Sequence, residues 1–376
     1  MKALALCFEP LYSDVNSAPK SLKHVKGLRT IHLNIRSLLK NIDELRLFTT
    51  DNKPDIITLS ETWLDSSISD EEILMIDNYN IERQDRNRNG GGTLIYIHER
   101  FTYDRISIES NELELVLCTL RFSRSKPILI GSVYRPPDDS NFFSTFIDLL
   151  DKIDFTNSEI YLLRDFNCPI KSSKGKEFVK LMNDIGLNQL IKEDTRVTLT
   201  SSSLIDMIFT NSAHRVTESG VLKLSMSDHY MIYCNRSCKV PRAKPKFLNV
   251  RSFKNFDPSS FTNDLQNLPW DSISLFESPD DAWFAMEELL KDVGNQHSPC
   301  STMRVRGSQP PWMTTEIHQA IKARDTMKRK AVKDKFVCNW NAYKRLRKNV
   351  TRLIGVAKRD YYNNLLSENV NDTSKL

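Results

Sequence analysis

The chain has 376 residues, of which 40% are hydrophobic and 27% charged. This composition can bury a large core and excludes a chain that is disordered throughout. The opening residues, MKALALCFEP, hold too short an apolar run for a secretory signal or a membrane span, so we expect no membrane association and a nuclear or cytoplasmic location. Seven cysteines without a repeated C-x-x-C spacing agree with a reducing compartment.

Charge is distributed unevenly along the chain. Residues 1–240 carry 30 basic and 33 acidic side chains, the remainder carries 23 and 15, and the stretch from Ser301 onward carries 17 and 6. A basic region after a mildly acidic one is expected where one part holds a cation and the other meets a polyanion. A solvated helix face explains the same charge, and charge alone favours that plainer interpretation.

The first 240 residues alternate short apolar runs with amphipathic segments. Eight runs rich in β-branched residues predict strands: TIHLNI, DIITLSE, GTLIYIHE, ELVLCTLRF, PILIGSVY, EIYLLRD, LIDMIFT and DHYMIYC. Three segments predict helices: LLKNIDELRLFTT, NFFSTFIDLLDKI and GKEFVKLMNDIG. Strands with interspersed helices predict an α/β or α+β domain with a large sheet core.

The pattern changes after CNRSCKVPRAKPKF, where prolines among Lys and Arg indicate a linker. Beyond it, FDPSSFTNDLQNL and PDDAWFAMEELLKDVG predict helices with Asp257 and Ser278 as caps. We therefore divide the chain into an N-terminal extension (1–27), a sheet domain (28–238), a basic linker (239–250) and a helical region (251–376).

A long helical stretch follows GSQPPWMTTEI, with Thr314 or Thr315 as its cap. Apolar residues recur within it at steps of three, four and seven: Trp340, Tyr343, Val350, Ile354, Ala357, Tyr361 and Leu365. This spacing predicts a helix with one apolar side and basic residues on the others.

Polar side chains stand at or near the ends of six separate apolar runs. They are Asn34, Glu61, Tyr134, Asp165 with Asn167, Asp206, and Asp228 with His229. Each alone has a structural explanation, since Asn and Asp favour turns and a single His is usually a satisfied structural residue. Together they predict one cleft, because side chains at one rim of a sheet core converge.

The residue types form a set suited to cutting a phosphodiester bond. Glu61 suits a hard divalent cation, which would neutralise a phosphate oxygen and the leaving alkoxide. Asp165 can accept a proton from water while the amide of Asn167 fixes the water or a phosphate oxygen. Asp206 can hold His229 in one tautomer, so that its other ring nitrogen stabilises the pentavalent phosphate.

Six ordered motifs, HLNIRSL, LSETWL, YRPP, LLRDFN, SLIDMIFTN and MSDHYMI, resemble the endonuclease/exonuclease/phosphatase superfamily. More narrowly, they resemble the apurinic-type endonuclease domain of jockey-like and chicken-repeat-like non-LTR retrotransposons, over roughly residues 28–236. The segments PPWMTTEIHQAIKARD, WNAYKRLRKNV and AKRDYYNNLL resemble the connector that precedes reverse transcriptase in those elements. The resemblance implies a four-layer α/β sandwich with two packed sheets, followed by basic helices, in the front piece of a polyprotein that ends before the polymerase.

The resemblance also implies a metal centre and a reaction. Glu61 would be the principal metal ligand, Asp228 would complete the acidic cluster on the metal side, and the ion would be Mg²⁺ or Mn²⁺. The reaction would be metal-dependent nicking of target DNA, leaving a 3′-hydroxyl for a reverse transcriptase to extend. DNA is the implied partner, and the basic helical tail would meet element RNA or the reverse transcriptase.

The remaining polar residues would act on phosphate and water. Asn34 and His229 would bind phosphate, and Tyr134 would contact the scissile phosphate or the leaving group. Asp165 would activate the water that Asn167 orients. Asp206 would pair with His229.

Two positions depart from the family pattern. Repair members have an acidic residue two positions after the first Asn, where this chain has Arg36. Members usually have Gly before the catalytic Asp, where this chain has Arg164. A side chain there is expected to cost about 1 to 3 kcal/mol if the backbone is strained, and the guanidinium could pair with Asp165 and lower its basicity.

Arg164 keeps a second hypothesis open, namely a catalytically weakened or inert nucleic-acid-binding module derived from a retrotransposon. A third keeps hydrolysis with another substrate, because relatives act on inositol phosphates, sphingomyelin or RNA tails. Lipid substrates are disfavoured because the basic tail lacks the pattern of an interfacial helix.

Overall fold

The computed structural model describes residues 22, 26–75, 79–107, 113–122, 125–136, 142–151, 157–241, 247–304 and 310–368. These residues form two compact units, one made of the described residues up to 241 together with 310–368, and the other of 247–304. Most of the predicted N-terminal extension (1–27) and residues 242–246 of the predicted linker lie outside the described residues. The helical region predicted for 251–376 is shared between the two units, because its last two helices pack on the sheet domain.

The first unit is a sandwich of two six-stranded mixed sheets. In chain order its strands are β1 (Leu28–Asn34), β2 (Ile56–Ser60), β3 (Tyr79–Gln84), β4 (Thr93–His98), β5 (Thr102–Ile106), β6 (Glu114–Arg121), β7 (Ile128–Tyr134), β8 (Glu159–Asp165), β9 (Asn188–Gln189), β10 (Arg196–Val197), β11 (Ser202–Ser203), β12 (Asp206–Thr210), β13 (Val216–Leu222) and β14 (Met231–Arg236). The first sheet has the spatial order β13-β14-β1-β2-β4-β3 and the second β5-β6-β7-β8-β12-β9, while β10 and β11 form a separate ribbon.

The helices, in chain order, are α1 (Leu38–Asn52), α2 (Phe142–Asp151), α3 (Ser173–Asp184), α4 (Pro258–Gln266), α5 (Pro279–His297), α6 (Thr315–Asp334) and α7 (Val337–Glu368). Strands β15 (Phe247–Arg251) and β16 (Cys300–Arg304) pair antiparallel in the second unit, which also contains α4 and α5. No helix among the described residues combines the length and the apolar character that crossing a bilayer requires.

Alternation along the strands builds the layers of the sandwich. On β1, Ile31 and Leu33 point to one side and pack with Ile42 and Leu45 of α1. On the outer side of the second sheet, α2 and α3 pack Phe142, Phe146, Phe178 and Met182 into the main core. Fully burying such a side chain contributes about 1.5 to 3 kcal/mol. The order helix, sheet, sheet, helix confirms the predicted four-layer sandwich.

All eight predicted strands are present, and the strands that the sequence did not predict lie mainly at sheet edges. Strands β3 and β13 are the two edges of the first sheet, and β5 is an edge of the second. Their residues are mostly half-buried or exposed. An edge strand with little burial has no apolar alternation to reveal it.

Residues 310–368 form a helical hairpin of α6 and α7. The Thr314 hydroxyl caps α6 by accepting from the Ile317 amide at 3.4 Å, and Lys335, with φ of 55°, ends it in a left-handed conformation. The predicted apolar side of α7 is confirmed at Trp340, Tyr343 and Val350, which are buried. Near the start of the hairpin, Met313 and Ile317 pack with Leu47 of α1, which joins the hairpin to the sandwich.

Candidate active site

Three predicted site residues lie side by side on neighbouring strands of the second sheet. Asp165 ends β8, and its ladder partners are Tyr134, at the end of β7, and Asp206, at the start of β12. Residues directly opposite each other in a ladder share one face of the sheet. The three form a buried row at one end of the sandwich.

The first sheet brings two more predicted residues to this row. Asn34, the last residue of β1, donates from Nδ2 to Oδ2 of Asp165 at 2.7 Å. His229, which precedes β14, places Nδ1 2.9 Å from Oδ2 of Asp206 and 4.0 Å from Oδ2 of Asp165. Asn34, Asp165, Asp206 and His229 therefore form one buried cluster between the two sheets.

The environment of Asp165 makes its carboxylate a stronger base than usual. Burial raises its pKa to about 6, and the negative charge of Asp206 adds to the effect. The charge of His229 and the hydrogen bonds from Asn34 and from the Asn167 amide act in the opposite direction. A carboxylate with a pKa close to neutrality is suited to accept a proton in a reaction.

His229 is held as a cation. Burial lowers its pKa, but the charges of Asp206 and Asp165 and the hydrogen bond to Asp206 outweigh burial and raise the pKa to about 9. The ring therefore carries a positive charge at neutral pH, and it is suited to meet a phosphate oxygen.

Glu61 lies beside this cluster and is held by two uncharged donors. The Tyr134 hydroxyl donates to its Oε1 at 2.8 Å, and the Trp63 indole donates to its Oε2 at 2.9 Å. Burial and the charge of Glu61 raise the pKa of the Tyr134 hydroxyl, which keeps it protonated as a donor. Neither partner neutralises Glu61, so its negative charge remains available to a cation.

Several residues of the site have left-handed backbone conformations. The φ angles are 46° at Arg36, 53° at Glu61, 55° at Trp63 and 46° at Asn167. Such a conformation costs a residue with a Cβ on the order of 1 to 3 kcal/mol. Each stands at or just beyond a strand end.

Asn167 supports the site with its backbone and its side chain. Its amide N–H donates to Oδ1 of Asp165 at 2.9 Å, and its Nδ2 donates to the carbonyl of Arg135 at 3.0 Å. The side-chain nitrogen is thus engaged with the backbone after β7. The amide oxygen is the atom that the predicted role of orienting water would use.

Asp228 lies among cations. Its Oδ2 accepts from Nη1 of Arg36 at 2.9 Å and from Nη2 of Arg196 at 3.2 Å. Burial raises the pKa of Asp228, but the charges of His229, Arg36 and Arg196 outweigh burial and hold it below its usual value. The structure therefore places this predicted metal ligand against two guanidinium groups.

Arg164 points away from the site. It neighbours Asp165 on β8, and successive side chains of a strand lie on opposite faces. Four phenylalanine rings have their centroids 3.5 to 5.9 Å from its guanidinium carbon: Phe142, Phe146, Phe166 and Phe178. The expected pairing with Asp165 is absent for this reason, and the charges acting on Asp165 come from Asp206 and His229.

Two places in the described residues could hold a divalent cation. Asp165, Asp206 and His229 each offer a ligand atom within 4.8 Å of the others. Glu61 offers carboxylate oxygens, the donors that Mg²⁺ prefers. In the group of Asp165, Asp206 and His229, Nδ1 of His229 is already engaged with Asp206 at 2.9 Å. Glu61, in contrast, accepts both of its hydrogen bonds from uncharged donors.

Sequence reasoning missed three residues that touch the site. Trp63 had a signal, because it follows Glu61 by two positions within one motif. Arg196 and Lys328 had none. Arg196 reaches Asp228 from the β10–β11 ribbon, and Lys328 reaches the Ser227 carbonyl at 3.5 Å from α6, 101 residues along the chain.

Comparison with known proteins places this site in a family context. Residues 128–233 match the endonuclease/exonuclease/phosphatase family model described as "Endonuclease-reverse transcriptase". The matched range includes the row of Tyr134, Asp165 and Asp206, together with His229. No curated protein sequence matches the chain significantly.

Among solved structures, the endonuclease domain of TRAS1, a telomere-specific non-LTR retrotransposon, is 14% identical with a TM-score of 0.47, over 56% of this chain and 99% of that one. The 3′-5′ exonuclease NExo from Neisseria meningitidis is 16% identical with a TM-score of 0.46, over 56% and 100%. An AP endonuclease from Archaeoglobus fulgidus is 15% identical with a TM-score of 0.44, over 56% and 100%. These likenesses are too low to carry a function over.

The family match and the buried cluster agree with each other. The matched segment supplies β7, β8, β12 and β14, which hold the row and the histidine in place. Residues 128–233, which hold most of the buried cluster, are therefore similar to the endonuclease-reverse transcriptase family of endonuclease/exonuclease/phosphatase domains.

Proposed function

We propose that the protein is a divalent-metal-dependent DNA endonuclease that nicks one strand and leaves a 3′-hydroxyl. The observation that carries this proposal is the buried cluster in which Asn34, Asp165, Asp206 and His229 meet. It places a carboxylate of raised pKa beside an imidazole that can donate to a phosphate oxygen, a combination suited to hydrolysis of a phosphodiester.

In this mechanism Asp165 accepts the proton of the attacking water. Asn34 holds one oxygen of Asp165 and the Asn167 amide holds the other, at 2.7 and 2.9 Å, so the carboxylate keeps a fixed direction. The Asn167 side-chain oxygen orients the water. Because the carboxylate and the water are both held in place, less entropy is lost when they react.

His229 binds the phosphate that is attacked. Asp206 accepts from Nδ1, which leaves Nε2 as the donor to a phosphate oxygen. The Tyr134 hydroxyl, protonated and next to Asp165 in the ladder, contacts the scissile phosphate or the leaving oxygen. Asn34 contributes its amide near the same phosphate.

Glu61 is the residue that we assign to the divalent cation, either Mg²⁺ or Mn²⁺. Such an ion, when bound, supplies positive charge to a phosphate oxygen and to the leaving alkoxide. Trp63 and Tyr134 fix the two carboxylate oxygens, each of which keeps a second lone pair. We leave Asp228 out of the ligand set because two arginines already pair with it.

The test is nicking of supercoiled plasmid DNA by the full chain with Mg²⁺, with Mn²⁺ and with excess EDTA. We expect open circles with either metal and none with EDTA, and we expect DNA polymerase to extend the nicked ends. An inert protein in all three conditions would favour the binding-module hypothesis. Ends that a polymerase extends only after phosphatase treatment would contradict the 3′-hydroxyl product.

Metal titration by calorimetry separates the two candidate ion sites. Glu61→Gln is expected to weaken Mg²⁺ binding at least tenfold, while Asp206→Asn leaves it within about twofold, because removing a carboxylate ligand costs far more than a change away from the ion. The reverse result would place the ion at Asp165, Asp206 and His229.

A further inference from the structure

Two arginines share one carboxylate oxygen at the edge of the site. Arg36 and Arg196 both donate to Oδ2 of Asp228, at 2.9 and 3.2 Å. Their side chains are 48% and 38% exposed, whereas that of Asp228 is 21% exposed. One carboxylate neutralises one guanidinium, so the group keeps a net positive charge that faces solvent.

The backbone fixes both arginines next to the catalytic candidates. Arg36 follows Asn34 by two positions, and Asn34 holds Asp165. The backbone of Arg196 forms an isolated β-bridge with His229. The two guanidinium groups therefore meet at the segment that carries Asp228 and His229.

Stability does not explain this arrangement. Ion pairs whose arginines reach solvent typically contribute about 0 to 1 kcal/mol, while the left-handed conformation of Arg36 costs on the order of 1 to 3 kcal/mol. Two like charges on one oxygen also repel each other. An anionic partner would offset both the repulsion and the surplus positive charge.

We propose that Arg36 and Arg196 form a clamp for a backbone phosphate of DNA beside the phosphate that is cut, and that Asp228 orients the clamp. Guanidinium groups present parallel N–H donors that match two oxygens of a phosphate, which an ammonium cannot do. The clamp rests on the proposed function only in taking DNA as its ligand. It gives Asp228 a positioning role and gives Arg36, which stands where repair relatives have an acid, a role in binding the substrate.

The experiment measures binding without cleavage. The full chain with Asp165→Asn is titrated with a fluorescein-labelled DNA duplex two helical turns long, about 20 base pairs, in EDTA and at several NaCl concentrations. Arg36→Ala and Arg196→Ala are added to this background singly. The control is Arg105→Ala, because Arg105 on β5 is 45% exposed and also pairs with a carboxylate, Glu82, at 3.1 Å.

We expect Arg36→Ala and Arg196→Ala each to weaken binding about tenfold and to reduce the slope of log K against log salt by about 1, since each removes one phosphate contact. Arg105→Ala is expected to change neither. Clamp variants that bind with the affinity and the salt slope of Arg105→Ala overturn the proposal. If Arg36→Ala fails to fold, as judged by its melting curve, Arg196→Ala decides alone.

The outcome is independent of the proposed function, because no cleavage is measured. A wild type that nicks DNA while both clamp variants bind like the control would remove the clamp and keep the endonuclease. A wild type that does not nick, with both variants weakened as expected, would keep the phosphate clamp and remove the endonuclease.

Discussion

The row of site residues on the second sheet and the helical hairpin reach the same site by different means. Strand register aligns Tyr134, Asp165 and Asp206, because each occupies the matching position of a neighbouring strand. The hairpin is held by an apolar cluster shared with α1 and by single long side chains. Arg324, only 3% exposed, donates to both carboxylate oxygens of Glu44 on α1, at 2.6 and 2.8 Å. A repeated pattern therefore builds the row, whereas a small apolar cluster and individual polar contacts hold the hairpin.

Lys328 brings the hairpin to the segment that carries the candidate site residues Asp228 and His229. Its buried ammonium lies 3.5 Å from the Ser227 carbonyl and 4.4 Å from the ring centroid of Tyr230. These two residues flank Asp228 and His229. Burial lowers the pKa of Lys328 to about 8. Through Lys328, the hairpin supports the segment that carries His229, and we call this contact the brace. We expect changes in the row to affect the chemical step, and changes in the brace to affect the position of His229.

The largest effect is expected in the row. Asp165→Asn removes the base and should lower the rate of plasmid nicking by roughly three orders of magnitude, within the range that a general base contributes. The melting temperature should stay close to that of the wild type. Asp104→Asn, an exposed change on β5, serves as the control and should nick normally. Loss of less than tenfold would assign the base to another residue.

The opposite face of the same strand should govern stability. Arg164→Gly removes a buried side chain from among four phenylalanine rings, and we expect it to lower the free energy of unfolding in urea by about 3 to 5 kcal/mol. Arg164→Met keeps the volume without the charge and should cost less than about 1.5 kcal/mol. A glycine variant of unchanged stability and faster nicking would show that this arginine restrains catalysis.

Substitution of Lys328 in the brace should lower the rate less than substitution of Asp165 does. Lys328→Met keeps the length of the side chain but loses the contact with Ser227, and we expect kcat to fall about tenfold, as small misplacements of a catalytic group do, with KM unchanged. Lys330→Met, an exposed change on the same helix, should leave both constants unaltered. Equal kcat values for the two variants would show that the contact of Lys328 with Ser227 does not influence catalysis.

The smallest effect is a shift in pH dependence. Asp165 must lose its proton, so the rate should rise as pH passes about 6, and His229 must keep its proton, so the rate should fall as pH passes about 9. Asp206→Asn removes a charge that raises the pKa of His229. The alkaline limb should then move down by about one pH unit, well within the shifts that a neighbouring charge produces. An unmoved limb would mean that another group sets it.

Much of the fold could be predicted because buried strands and helices carry apolar residues in runs or at regular spacing. The eight predicted strands are those whose residues are nearly all buried, such as IITLS and ILIGSVY, and the motifs at their ends mark the site. The convergence of Asn34 on Asp165 follows from two sheets meeting face to face. The edge strands were not predicted because few of their side chains are buried, so they lack an apolar pattern.

What the sequence could not predict depends on single side chains. Arg164 was expected to be harmful beside the predicted catalytic Asp165, and only the alternation of β8 within a known register shows that it faces the phenylalanines. Nothing in the basic stretch of α6 distinguishes Lys328, which is buried, from Lys330, which is exposed. No periodicity encodes a contact between two residues 101 or 280 positions apart.

The distance along the chain between Lys328 and Ser227 sets an order of events during protein synthesis. At about 5 to 20 residues per second, the ribosome adds the 101 residues between them in roughly 5 to 20 seconds. During most of this time all strands of the sandwich have been synthesised, whereas Lys328 has not. A newborn chain therefore passes through an interval in which every residue proposed to act in catalysis has been made, while the segment carrying His229 still lacks its contact with α6.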